Sequence, residues 1–160
     1  MRIPLALREL HRAEKSLTRT LLVVSDRHRT EHEVYHVARD LAEWSRTHVH
    51  ELAEIAPRYD LHLDDDPPAG DGPFAPVRRT LSVLIGRRDE PGVVLLADLR
   101  RLHRAAAGVS LDWELLAQGA QAVKDTELLA LASRCHPQTL RTLKWSNAML
   151  KTLSPQVLAG

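Results

Sequence analysis

The chain has 160 residues, a formal charge of +1, 44% apolar residues and only 4% aromatic ones. That length suits one domain spanning 1–160 and large enough to bury a real core. The near-zero charge excludes a strong global pull toward nucleic acid or a membrane surface, and the single cysteine, Cys135, excludes an intrachain disulfide.

Leu and Ala dominate the apolar vocabulary, while Ile, Val, Tyr and Phe are sparse. That mix favours helix over strand. No apolar run approaches the ~20 residues of a membrane span, and the first ten residues lack a charged-then-apolar signal pattern. A cytoplasmic protein is the expectation, in keeping with the lone cysteine.

In chain order, the first helix is expected over about residues 4–27. Pro4 suits its start, where a missing N–H costs nothing. Its apolar row, Leu7, Leu10, Leu17, Leu21 and Val24, is interrupted by Glu14. Thr30 followed by Glu33 reads as a capping box opening a second helix over about 31–57. Its row is Val34, Val37, Leu41, Trp44 and Ile55, interrupted by His48. A carboxylate and an imidazole are thus expected on the inward faces of successive helices.

Residues 59–73 read as a linker, punctuated by Pro67, Pro68, Gly70 and Gly72 and kept solvated by Asp64, Asp65 and Asp66. A short helix is expected at 74–86 and a long one at 91–123, its seam running from Leu95 through Trp113 to Ala120. Asp125 reads as the N-cap of a last helix over 126–153 that Pro155 stops. The expected fold is all-α, an antiparallel four-helix bundle of two hairpins joined by a long crossover containing the short helix.

Several residues invite a chemical reading. His28, His32 and His36 recur every four residues, a spacing that can bind a transition metal but is more often a solvated stripe. Glu33 and His36 form a Glu-x-x-His at the helix start, read as capping and surface residues. Arg78, Arg79, Arg87, Arg88, Arg100, Arg101 and Arg104 could dock phosphate or an acidic partner. With Asp89, Glu90 and Asp98 beside them and no interleaved aromatic platform, a solvated face is preferred over a nucleic-acid surface. Cys135 and His136 are adjacent and point about 100° apart, so they do not form a nucleophile–base pair. There is no Gly-rich phosphate loop, Cys-x-x-Cys or nucleophile elbow, so an enzymatic role is not indicated.

The strings LRELHRAEKSL around Glu14 and HVHELAEI around His48, with AAGVSLDWELLAQG and DTELL further on, resemble the ferritin-like superfamily. Within it they are most similar to the stress-associated bundles of the YciE/YciF type. The resemblance implies a di-metal centre of inward Glu and Glu-x-x-His residues. It assigns Glu14, His48, Glu114 and His136 as metal-ligand candidates. Ser45 and Ser133 stand where the bridging carboxylates belong. The expected function is therefore a bundle that has lost the di-metal centre, holds no cofactor, and acts as a structural or partner-binding module, with another protein or a second copy in a homo-oligomer as its partner. The alternative is an oxidative-stress or metal-handling protein with a reduced iron, manganese or zinc site. Counted from the turns, the members of each Glu/His pair are offset by about one helical turn.

Overall fold

A computed structural model describes residues 2–65 and 90–160. Among these residues the protein is all-α: four long helices, one 3₁₀ turn and no strand. We label the helices α1 (Ile3–Arg27), α2 (His32–Ile55), α3 (Pro91–Ala122) and α4 (Thr126–Ala159), with the 3₁₀ turn at Ala56–Tyr59. The short helix expected at 74–86, and Arg78, Arg79, Arg87 and Arg88, lie outside the described residues. No described helix is long and apolar enough to cross a membrane.

The heptad-like spacing of α1 and α3 translates directly into burial. Leu7, Leu10, Glu14, Leu17, Leu21 and Val24 are all buried on α1, and the whole expected seam of α3 is buried. α1 packs along α2 and α3, and α3 packs along α4; α2 meets α4 over a shorter stretch. Nearly all of the core is Leu and Ala around one fully enclosed indole, Trp113.

The second helix differs from expectation in phase. Its buried row is Val34, Ala38, Leu41, Ser45, His48 and Leu52, while Val37, Trp44 and Ile55 sit at the margin. Small side chains occupy the line of closest approach, and the larger apolar ones flank it. The expected capping box does not form either: the N-cap is Glu31, with no side-chain cap bond. The Glu31 amide instead bonds the His28 carbonyl at 3.0 Å, a tight turn that keeps Thr30 away from the cap position. Asp125 does cap α4, accepting from the Leu128 amide at 3.1 Å. It also accepts from the Tyr59 hydroxyl at 2.5 Å and pairs with Arg58 at 3.1 Å, tying the end of α2 to the α3–α4 turn.

Pro155 does not stop α4, which continues to Ala159 through both Pro137 and Pro155. An internal proline costs about 3 kcal/mol, and here packing offsets it: Val157 lies so close to α3 that a Cβ on Gly92 would fall 2.8 Å from its Cγ2.

The linker is anchored before it leaves the described residues. Leu61 is buried, Lys15 pairs with Asp64 at 2.5 Å, and His50 bonds Asp65 at 2.6 Å.

Asp98 was expected on a solvated face and is instead buried. Arg27 donates to both of its oxygens at 2.9 and 3.1 Å, and the His28 ring donates at 2.7 Å. This charge-assisted fork fixes the end of α1 against α3. Asp98→Ala removes the buried acceptor shared by the Arg27 guanidinium and the His28 ring and is expected to destabilise the fold by about 3 kcal/mol, at the lower end for a buried pair because Arg27 is partly exposed. Urea unfolding followed by circular dichroism measures it.

Candidate functional site

Glu14 is the centre of a polar junction to which all four helices contribute. Its side chain has no exposed surface. One oxygen, Oε1, accepts from His48 Nδ1 at 3.0 Å and from the Trp113 indole N–H at 2.9 Å. The other face of the His48 ring, Nε2, meets Gln138 Oε1 on α4 at 2.6 Å. The indole packs edge-on to the imidazole, with ring centroids 5.8 Å apart. The second carboxylate oxygen, Glu14 Oε2, is buried with no hydrogen-bond partner among the described residues.

The spacing explains the convergence. Glu14 and His48 are offset by about a turn when counted from residue 29, or ~5 Å. Two extended side chains leaning toward each other cover that distance. The expected difference in height is therefore real along the backbone and absent at the functional atoms.

Both ring nitrogens of His48 face oxygens, an arrangement met by the doubly protonated imidazolium. Burial opposes that charge, but the Glu14 hydrogen bond and charge, then Gln138 and the more distant Glu51, outweigh it. The net effect raises the His48 pKa above its ordinary value. The geometry makes a buried ion pair with a built-in indole donor.

A second shell of polar groups adjoins it. The Cys135 thiol donates to Glu51 Oε2 at 3.3 Å, and Arg134 stands 4.0 Å from the same carboxylate. Burial, then the Glu51 hydrogen bond and charge, push the thiol pKa far above its usual range. Cys135 is thereby held as the neutral thiol, which is the unreactive form. Asp112 on α3 is also raised, first by burial and then by the negative charges of Glu9 and Glu14.

The four candidate ligands fall into two separate pairs. Glu14 and His48 are together in the core. Glu114 and His136 stand 3.8 Å apart near the surface, with Glu114 more than half exposed. His136 Nε2 and the Ser110 hydroxyl share a hydrogen bond at 2.8 Å. Among the described residues, no group of three or more His, Cys, Asp or Glu side chains is placed to hold a metal ion. Ser45 is buried, but Ser133 faces solvent and bonds its own helix at Leu129. A carboxylate at 133 would point away from Glu14.

Of the histidine stripe, His32 and His36 are exposed with rings 5.7 Å apart, whereas His28 is committed to Asp98. Arg12 and Lys15, potential partners of Glu14 by proximity in sequence, pair instead with Glu9 and Asp64.

Three residues of the junction escape sequence reasoning: Trp113 as a donor, Gln138 and Glu51. The available signal is helical spacing read in the other direction. Glu51 follows His48 by three residues and Gln138 follows Cys135 by three, which places each pair on one face.

No protein-family model, curated protein or solved structure matches the chain.

The raised His48 pKa has a definite consequence for stability. Because the folded value lies above the ordinary imidazole value of 6.5, the contribution is complete below that pH and fades as pH rises through the folded value. Thermal melts from about pH 5 to about pH 9 should show a Tm decline on the alkaline side that is shallower in His48→Gln. Equal slopes in both proteins would contradict the assignment. A separate expectation concerns Cys135: a thiol reagent should modify it slowly in the native protein and completely, at one thiol per chain, after unfolding in guanidinium.

Proposed function

We propose that this protein is a structural or partner-binding module built as an antiparallel four-helix bundle of two hairpins, α1–α2 and α3–α4, with a long crossover between them. The short turns between the helices of each hairpin support that topology. On this reading the chain is a cytoplasmic, non-enzymatic relative of the ferritin-like bundles in which the position of the metal centre has been taken over by an internal ion pair.

One observation carries the reading. Oε1 of Glu14, the residue that a di-metal centre would need as a ligand, is taken by both His48 and Trp113, while Oε2 has no partner among the described residues, and His48 is engaged on its far side by Gln138. A metal-binding imidazole must offer a ring nitrogen lone pair. Here both nitrogens point at oxygens. Glu114 and His136 belong to a different, half-solvated place. The donor set therefore does not fit a carboxylate-bridged di-metal centre. Cys135 is no substitute, since its thiol is protonated and bonded to Glu51.

What the junction does supply is specification. A buried ion pair with directional partners on four helices permits one rotational setting of those helices. Apolar Leu–Ala packing alone discriminates settings weakly. Such a scaffold presents fixed outer faces, and the proposed activity resides on them.

Protein produced in medium supplemented with iron and manganese should carry no stoichiometric metal by elemental analysis, and chelators should leave its Tm unchanged. Near-stoichiometric metal that disappears in Glu14→Ala or His48→Ala would overturn the proposal and favour the reduced-site alternative of an iron, manganese or zinc protein. Removing Glu14 alone is expected to cost about 3–5 kcal/mol of stability, because it strands the His48 charge and the Trp113 donor.

A further inference from the structure

We propose that the outward face of α3 is a self-docking surface on which a second copy of this chain seats antiparallel. This deepens the reading just given, and rests on it, by naming the face and the partner. α3 carries two seams. The inner one faces the core. The outer one runs Arg101, Arg104, Gly108, Leu111, Leu115 and Gln118, with the same alternation of three- and four-residue steps. All six are exposed.

Single exposed leucines need no explanation. Leu111 and Leu115 are different, because residues four apart on a helix form one continuous patch, and they are 65% and 66% exposed. Gly108 adds a shelf: a Cβ built there would meet nothing within 4 Å. A partner's side chain can rest against bare backbone at that point.

Charge selects the occupant. The first half of the outer face is basic, with Arg100, Arg101 and Arg104, of which Arg100 and Arg104 have no ion-pair partner among the described residues. The second half is acidic through Glu114, which is more than half exposed. A polyanion would be repelled by one half. A parallel copy would set arginine on arginine. An antiparallel copy about a two-fold axis between Gly108 and Leu111 sets Arg104 toward Glu114 of its mate, and Leu111 over Gly108, with each contact occurring twice. Such an isologous patch is self-complementary.

Sedimentation of the full chain over a range of concentrations tests this. The expected result is a reversible dimer whose Kd rises at least ~100-fold in Leu111→Glu and in Leu111→Lys, which place a charge on the bare Gly108 backbone, with unchanged helicity. The charge variants give an independent reading that does not depend on the leucines. Arg104→Glu and Glu114→Arg should each weaken the dimer about tenfold on their own. Mixed together they should associate at least as tightly as wild type, because both crossings are then opposite in sign. A wild type that stays monomeric, or a dimer untouched by the leucine substitutions in a folded protein, would overturn the self-docking face. So would charge variants that fail to rescue each other. None of these outcomes bears on the metal analysis above, which tests the surface-acting reading separately.

Discussion

A carboxylate with no exposed surface, set among leucine and alanine, is stable only if its charge and hydrogen-bonding capacity are met by fixed partners. Glu14 meets the charge and the needs of Oε1 with His48 from the next helix and Trp113 from the one after, while Oε2 has no partner among the described residues. His48 in turn requires Gln138. Each link comes from a different helix, so the chain of requirements closes only when all four are assembled. The rest of the core can be understood as the frame that keeps this junction dry. Trp113 does both tasks at once, filling the largest buried volume and donating to the carboxylate.

The same constraint recurs at the far end of the molecule. Asp98 is buried and is satisfied by Arg27 and His28. Between them the two junctions register α1 against its neighbours at two heights. The Tyr59–Asp125–Arg58 contact does the same where the end of α2 meets the α3–α4 turn. Apolar packing supplies most of the driving force in a helical domain, but it is tolerant of small rotations and slips. Directional polar contacts at three places leave less freedom.

Much of the fold is readable from spacing, because α1 and α3 place large apolar residues on their true inner rows. α2 reads less well for a physical reason. Its line of closest approach holds Ala38 and Ser45 between Val34, Leu41 and Leu52, and small residues are quiet in a hydrophobicity pattern. Trp44 and Ile55, which are conspicuous in the pattern, sit at the edge. The extent of α4 past Pro155 depends on Val157 meeting Gly92, a tertiary contact that local propensity does not contain. At the site, Glu14 and His48 stand out because they interrupt apolar rows. Gln138 and Glu51 do not, since nothing in their immediate surroundings separates them from surface residues. Asp98 is hidden in the same way: its arginine neighbours suggest a solvated face, and only the turn of α1 toward α3 buries it.

The junction stands on His48 having both ring nitrogens engaged within the protein. The most direct measurement is nuclear magnetic resonance of the ¹⁵N-labelled His48 ring while Mn²⁺ is added. With Nδ1 bonded to Glu14 and Nε2 to Gln138, the Nδ1 proton is expected to exchange slowly and the ring signals to be unaffected by the metal. Selective broadening of those signals at low metal equivalents, reversed by a chelator, would show a ring nitrogen free to bind and would contradict that engagement.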